Sequence, residues 1–287
     1  DGFYPIDEGV PNLIRQLHCG GYSNGILGKV GHHKPLEAFP WDMAYDAKDL
    51  CMGRSPALYA DYSRQFIQSA QKNRQPFFLL INSHDPHRPF HGSRQEMESK
   101  AYSQRRDEMP PPSRVYDPEE VQIPPFLPDL PDVRKELAEY YSSCRRADDV
   151  VGALLDELDR NDAVESTVVM FLSDNGMSFP FAKTNCYQCS TRTPWIVRWP
   201  GVTRPGSIEP RHMISGIDLM PTILDIAGLP QVSDMDGFSF APLLKGEEQG
   251  GRGMVFTQFH ETSARIVYPM RAVQAPRYGY IFNPWSD

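Results

Sequence analysis

Residues 168–172 read Val-Val-Met-Phe-Leu, and the run stops without transition on Ser173-Asp174-Asn175-Gly176. A short, wholly apolar, β-branched run bounded by polar breakers is the pattern of a buried strand, which places it in a layered α/β sheet. Such a strand delivers the next residues to the carboxyl edge of the sheet, where open α/β folds bind ligands. Here those residues are a pair of hard oxygen donors, Asp174 and Asn175, suited to Ca²⁺ or Mg²⁺, and then, one short loop later, the cation Lys183. A divalent metal beside a fixed positive charge is a natural site for a tetrahedral anion such as sulfate or phosphate. Asp-Asn-Gly is equally a common turn sequence, because Asn and Gly tolerate positive φ, so the rest of the chain has to discriminate.

The rest of the chain alternates. Val10, Leu13, Ile14 and Leu17 share a helical face over 10–18, with Pro11 in the first turn and Gly20-Gly21 as the stop. Residues 23–30 read as a strand that leaves through Gly31-His32-His33. Ser55-Pro56 opens a helix with Leu58, Tyr59, Tyr62, Phe66, Ile67 and Ala70 on its apolar face. Pro76 starts a strand over 77–82, apolar enough to be covered on both faces, which ends in Ser83-His84-Asp85-Pro86-His87-Arg88-Pro89. Residues 91–131 form a polar, proline-rich stretch, either a functional loop or a surface excursion. A long helix is expected over 132–160, and further strands at 195–199, 214–217, 254–259 and 270–282, with a helix capped by Asp218 among them. This alternation argues for an α/β sheet with helices on both faces. Three strand ends carry polar chemistry, namely Lys29/His32, His84/His87 and Asp174/Asn175, and so gather at one sheet edge.

Composition narrows the function. The chain of 287 residues carries a net charge of −8 and no basic stripe interleaved with aromatics, which argues against a nucleic-acid partner. No apolar run approaches the roughly 20 residues that span a bilayer. Twenty-seven prolines imply the ordered, irregular connections of a loop-rich enzyme. The five cysteines are irregularly spaced and form no disulfide framework, and Cys186-x-x-Cys189 reads as a loop pair rather than half a zinc or redox motif. Together a hard-metal site, the cations Lys29 and Lys183, and the imidazoles of His32 and His84 suit hydrolysis of a sulfate or phosphate ester.

At this point the residues resemble the sulfatase family. Gly28-Lys29-Val30-Gly31-His32 is similar to its Gly-Lys-x-x-His element, His84-Asp-Pro-His-Arg-Pro89 to its strand-end histidine motif, and Ser173-Asp-Asn-Gly176 to its metal-binding strand end. Arg192 to Gly201, Ile217 to Gly228 and Asp236 to Leu244 continue the likeness in order. Ser178 to Asn185, and His260-Glu261 with Pro269 to Val273, look closest to the heparan N-sulfatase (sulfamidase) branch.

The resemblance implies an alkaline-phosphatase-like mixed sheet flanked by helices, with a partial catalytic domain over 1–250 and the start of a small C-terminal α+β subdomain over 251–287. It implies one Ca²⁺ bound by Asp174 and Asn175, Lys29 and Lys183 holding sulfate, His84 as general acid, and His32 assisting at a formylglycine nucleophile. His87, Arg88, His260 and Glu261 are candidates for binding a sulfated sugar or glycan. His87 and Arg88 could equally brace the His84 loop, and His260 and Glu261 could equally cap a strand end. Secreted, periplasmic or lysosomal compartments are the family's settings. The sequence departs from the pattern in two ways. No Cys or Ser stands in the Cys/Ser-x-Pro/Ala-x-Arg motif that yields formylglycine, and the acidic pair that completes the metal site is absent. The expectation is therefore an internal piece of a sulfatase that lacks its nucleophile and turns over nothing by itself. A phosphatase or phosphodiesterase of the same superfold, or a non-catalytic relative, are the alternatives.

Overall fold

The computed structural model describes residues 5–7, 9–105, 108–262 and 264–284. The chain divides into two compact units, one up to Val164 and one from Glu165. The first holds helix α1 (Leu13–Cys19), strands β1 (Ser23–Leu27) and β2 (Met43–Tyr45), helix α2 (Pro56–Asn73), strand β3 (Phe77–Ile81), the short helices α3 (Arg94–Glu98) and α4 (Lys100–Ser103), and the long helix α5 (Pro131–Arg160).

The strands of this unit run parallel in the order β2-β1-β3. Parallel strands need crossover connections, and α2 carries the chain from β2 past the central β1 to β3. Ser55 caps α2 by accepting from the Leu58 N–H, and Pro56 sits where a missing amide proton costs nothing. The apolar face read from the sequence is the buried one: Tyr59, Phe66, Ile67 and Ala70 are all buried. A side chain at Gly25 of β1 would lie 2.8 Å from Leu79 and 3.0 Å from Phe66, so glycine lets α2 settle directly on the strand. Leu27, Leu50, Tyr59 and Val150 form the centre of this core, with Leu79, Ile81 and Leu154 packed against it.

The stretch over 91–131 contains α3 and α4 and is stitched to one face of α5. Ser143 Oγ accepts from the His91 N–H at 2.8 Å, Ser142 Oγ from the Tyr116 N–H at 3.0 Å, and Asp149 from Ser113 N–H and hydroxyl. Beneath this wrap lies a buried ionic centre. Asp85 receives Arg54 Nε at 3.0 Å on one oxygen and Arg146 Nε at 2.6 Å on the other. Arg54 also donates to the Tyr102 hydroxyl and to the carbonyls of His87 and Pro89.

The second unit contains β4 (Val169–Leu172), α6 (Gln188–Thr191), β5 (Trp195–Arg198), α7 (Leu219–Ile226), α8 (Ala241–Leu244), β6 (Val255–Glu261), β7 (Val267–Gln274) and β8 (Gly279–Phe282). β4 and β5 pair antiparallel, and β6-β7-β8 form an antiparallel meander. The meander belongs to the same compact unit as β4 and β5.

Several local expectations need correction. β1 stops at Leu27 rather than at residue 30, because Gly28 and Lys29 turn into positive φ. β2, only three residues long, is too short to show a period. The strand expected over 214–217 is a loop entering the 3₁₀ turn Gly216–Asp218. There the buried Asp218 carboxylate accepts the Ser215 and Phe238 N–H groups, and local side-chain bonds of this kind compete with a ladder. The strand expected over 270–282 is a hairpin, closed by Ala275 N–H to Tyr278 O at 2.8 Å. β4, expected to be buried, pairs only with β5 among the described residues, and leaves Phe171 and Leu172 42% and 40% exposed.

Removing one partner from a buried charge cluster leaves the others uncompensated and costs about 3–5 kcal/mol. Asp85→Ala should therefore lower the unfolding free energy of the first unit by about that amount, read by urea denaturation; a loss below about 1 kcal/mol, typical of an exposed pair, would contradict the role given to Asp85.

Candidate functional site

The ends of β1 and β3 lie side by side because Asn82 N–H donates to Leu27 O at 2.8 Å, one step beyond the ladder. A Cβ at Gly28 would sit 2.3 Å from the Asn82 carbonyl oxygen, so only glycine permits this approach. Asn82 then ties the two exits together. Its side-chain amide donates to Gly28 O at 3.0 Å, while its own carbonyl accepts from the Tyr59 hydroxyl at 2.7 Å. Burial pushes the Tyr59 phenol well above its ordinary pKa, so it remains a proton donor. Next to this clamp Lys29 adopts left-handed geometry (φ 56°) and the chain enters the 3₁₀ turn Val30–His32. Asp46 fixes that turn, accepting the Gly31 N–H on one oxygen at 3.2 Å and the Ala47 N–H on the other at 2.8 Å.

Lys29, His32 and His84 therefore line one recess of about 500 Å³, together with Lys34, Asp46 and Lys48. Cations outnumber the single carboxylate, whose oxygens already accept backbone hydrogen bonds. The site is suited to an oxyanion.

His84 is held with particular care. Its N–H donates to Gly53 O at 3.0 Å, and a Cβ at Gly53 would fall 1.9 Å from the imidazole Nδ1. Gly53 ends a run of three left-handed residues, Cys51, Met52 and Gly53. Nδ1 is buried without a hydrogen-bond partner among the described residues, which leaves the Nε2 side of the ring for the recess. Burial, reinforced by the nearby Arg54 and Lys29 charges, pushes the His84 pKa down to about 4. At neutral pH the resting imidazole is uncharged. The Cys51 thiol is buried, and burial raises its pKa, so it is not an activated nucleophile.

His87 and Arg88 lie on the same loop but are otherwise engaged. Arg88 pairs with Glu136 of α5 and stacks 4.3 Å over the Phe90 ring, and His87 Nδ1 contacts the Arg88 carbonyl oxygen at 2.8 Å. Arg54 grips their segment through the His87 and Pro89 carbonyls. These contacts fit a brace for the His84 loop.

In the second unit, Asp174 and Asn175 come directly after β4. Neither they nor Gly176 has positive φ, so the segment does not use the left-handed geometry its composition allowed. Gly176 is required by close approach instead: a Cβ would lie 1.9 Å from Cys189 O and 2.4 Å from Ala182 O. Lys183 lies on the loop this packing holds in place. His260 pairs with Arg271 across β6 and β7 at 2.9 Å, and Glu261 pairs with Arg265. Of the three strand ends, the structure thus brings two together in one recess and sets the third in the other unit.

The oxygens of Asp174 and Asn175 are of the type calcium takes, but Asp174 Oδ1 already accepts the Asn175 N–H at 3.0 Å. Calcium takes six to eight ligands, and no group of three or more acidic, His or Cys side chains able to hold a metal occurs among the described residues. These two residues do not make a complete calcium site.

The sequence reading missed Asn82, Tyr59, Asp46 and Gly53. Asn82 stood directly beside a motif, but only the tertiary approach of β1, β3 and the Cys51–Gly53 turn gives it and Gly53 a role.

Comparison with known proteins bears on the whole arrangement. The sulfatase family profile matches residues 5–229, and the profile for the C-terminal region of N-sulphoglucosamine sulphohydrolase matches 177–283. Human N-sulphoglucosamine sulphohydrolase is 32% identical over 96% of this chain and 57% of its own length. The chain spans about half the length of the relatives it matches. Among solved structures, a 2-O GAG sulfatase superposes with a TM-score of 0.73 at 18% identity, covering 98% of this chain and 66% of that one. An enzyme in complex with its substrate D-glucosamine-2-N,6-O-disulfate gives 0.71 at 16%, covering 98% and 74%. These structures share the alkaline-phosphatase-like fold, with its small C-terminal antiparallel sheet.

The slot around His84 has a measurable consequence. Its imidazole should titrate near pH 4 by NMR. Because the unfolded chain takes up this proton first, near the ordinary 6.5, the contribution to stability is fully present above that pH and is lost as pH falls toward 4. Gly53→Ala should expel the ring and move its midpoint back toward about 6.5; an unchanged midpoint in the variant would refute the slot.

Proposed function

The chain belongs to the sulfatase family, and on that premise we propose that it carries the anion-holding part of a hydrolase that removes sulfate, as ester or sulfamate, from sugars of the glycosaminoglycan class. The observation that supports this most strongly is the recess at the adjoining ends of β1 and β3, where Lys29, His32 and His84 converge. Fixed cations aimed at the place where negative charge collects are the largest single source of rate in reactions of this kind. The match of residues 177–283 to the sulphohydrolase C-terminal region supports the sulfamate branch.

In this reading the Lys29 ammonium neutralises the sulfate oxygens, and Lys183 is a second cation assigned to sulfate. His32 adds an imidazole to the lining of the recess, assigned to assisting at the nucleophile. His84 gives a proton to the departing oxygen or nitrogen. A neutral imidazole must first acquire that proton, and an anion beside it makes this easier by offsetting the cations that hold its pKa down. Asp174 and Asn175 are the metal-binding residues of this reading, and calcium when bound would supply Lewis-acid stabilisation of the sulfate; because the ligand set here is incomplete, no step is assigned to it. None is assigned to formylglycine either, since no residue of this sequence stands in its precursor motif. His260 and Glu261 are assigned to the sugar, and Arg88 and His87 to bracing the His84 loop.

A charge-assisted contact contributes about 1.5–3 kcal/mol, so Lys29→Ala should weaken inorganic sulfate binding by roughly tenfold or more. Titration calorimetry, with the His32 and His84 imidazole resonances as site reporters, measures this. Equal affinity in the variant, or binding that leaves both imidazoles unmoved, would defeat the proposal.

A further inference from the structure

The loop that carries Lys183 also builds a groove that the anion chemistry does not account for. It measures about 770 Å³ and is lined by Phe181, Lys183, Asn185, Tyr187, Tyr268 and Asn283, among others. Phe181 is 55% exposed and Tyr187 44% exposed, and their rings meet edge to face with centroids 6.1 Å apart. Aromatic rings of this size ordinarily give most of their area to the core. Here the backbone works to keep them out. Phe181 has φ 66° and Thr184 φ 61°, a conformation that bulky and β-branched residues rarely adopt and that clusters at functional sites.

The strained loop is held by specific bonds. Asn185 Nδ2 donates to Lys183 O at 2.8 Å while Asn185 Oδ1 accepts the Tyr187 N–H at 2.9 Å. From the meander, the Tyr268 hydroxyl donates to Thr184 O at 3.0 Å. The close packing of Gly176 against Ala182 and Cys189 anchors the loop from below. The rings are therefore presented on a fixed frame.

From this arrangement we infer that Phe181 and Tyr187 form a stacking platform for a pyranose ring, so that the groove takes a sugar unit of an anionic glycan. A pyranose has an apolar C–H face and a rim of hydroxyls. The groove offers the complement, two exposed aromatic rings with amides beside them and a cation for the sulfate or carboxylate. Its volume lies within the roughly 300–1,000 Å³ range of small-molecule sites. The inference rests on the sulfated-sugar reading above and names the part of the substrate beyond the sulfate.

The test uses the full chain and three probes: inorganic sulfate, glucosamine N-sulfate, and a heparan-derived N-sulfated disaccharide, each followed by calorimetry and saturation-transfer NMR. The disaccharide should bind more tightly than the monosaccharide. Phe181→Ala and Tyr187→Ala should each weaken the disaccharide by roughly three- to tenfold, the range of an aromatic contact, while leaving inorganic sulfate unchanged. Phe181→Tyr should restore binding, which separates stacking from a folding defect. Wild-type disaccharide affinity in both alanine variants, with sulfate still bound, would overturn the platform and leave the sulfatase reading standing. Disaccharide binding that depends on the aromatics, with no binding of inorganic sulfate, would uphold the platform and count against the sulfate-removing reading. Failure of all three probes would end both.

Discussion

Asp85, clasped by Arg54 and Arg146 below the surface, is the interaction on which the first unit depends. Both guanidinium groups are almost wholly buried, and burying charge is tolerable only when each is paired and its remaining donors are met. Arg54 meets this condition by donating to Asp85, to Tyr102 and to the His87 and Pro89 carbonyls. Arg146 does so by reaching Asp85, the Pro110 carbonyl and, at 3.6 Å, Glu96. One carboxylate thereby joins the β3 exit, the long wrap and helix α5. The same cluster sets chemistry as well as shape. The Arg54 charge that fixes the loop also helps to hold the His84 imidazole neutral.

The resting state that results is one of restrained charge. A recess with lysines at its rim and a neutral imidazole at its side favours an arriving anion, and the anion in turn favours protonation of the imidazole. Binding and acid function are then linked through one electrostatic balance. The clamp of Tyr59, Asn82 and Gly28 keeps the two strand ends at the spacing this balance requires. In the second unit, the loop after β4 is given similar rigidity by Gly176 and Asn185, and that rigidity presents Lys183 and two aromatic rings.

The sequence made the periodic parts of this molecule readable. α2 could be read from Ser55-Pro56 and its apolar face, β3 from an unbroken apolar run, and Lys29 with His84 from their place just past two strand ends. The parts that could not be read depend on distance in space rather than along the chain. Asp46 looked like any exposed acid until the β1 exit turned onto it. Gly53 matters only because His84, distant along the chain, comes to lie against it. The expected strand over 214–217 failed because Asp218, a single buried carboxylate, offered the backbone better partners than a ladder. Asp85 stood in plain view within the histidine motif, but nothing local announces that two arginines converge on it.

The link between anion binding and the imidazole is most directly tested by titrating His84 by NMR in the presence and absence of saturating inorganic sulfate. The account predicts that sulfate raises the midpoint above its resting value of about 4, with sulfate affinity increasing correspondingly as pH falls. A midpoint that does not move when sulfate is bound would contradict it.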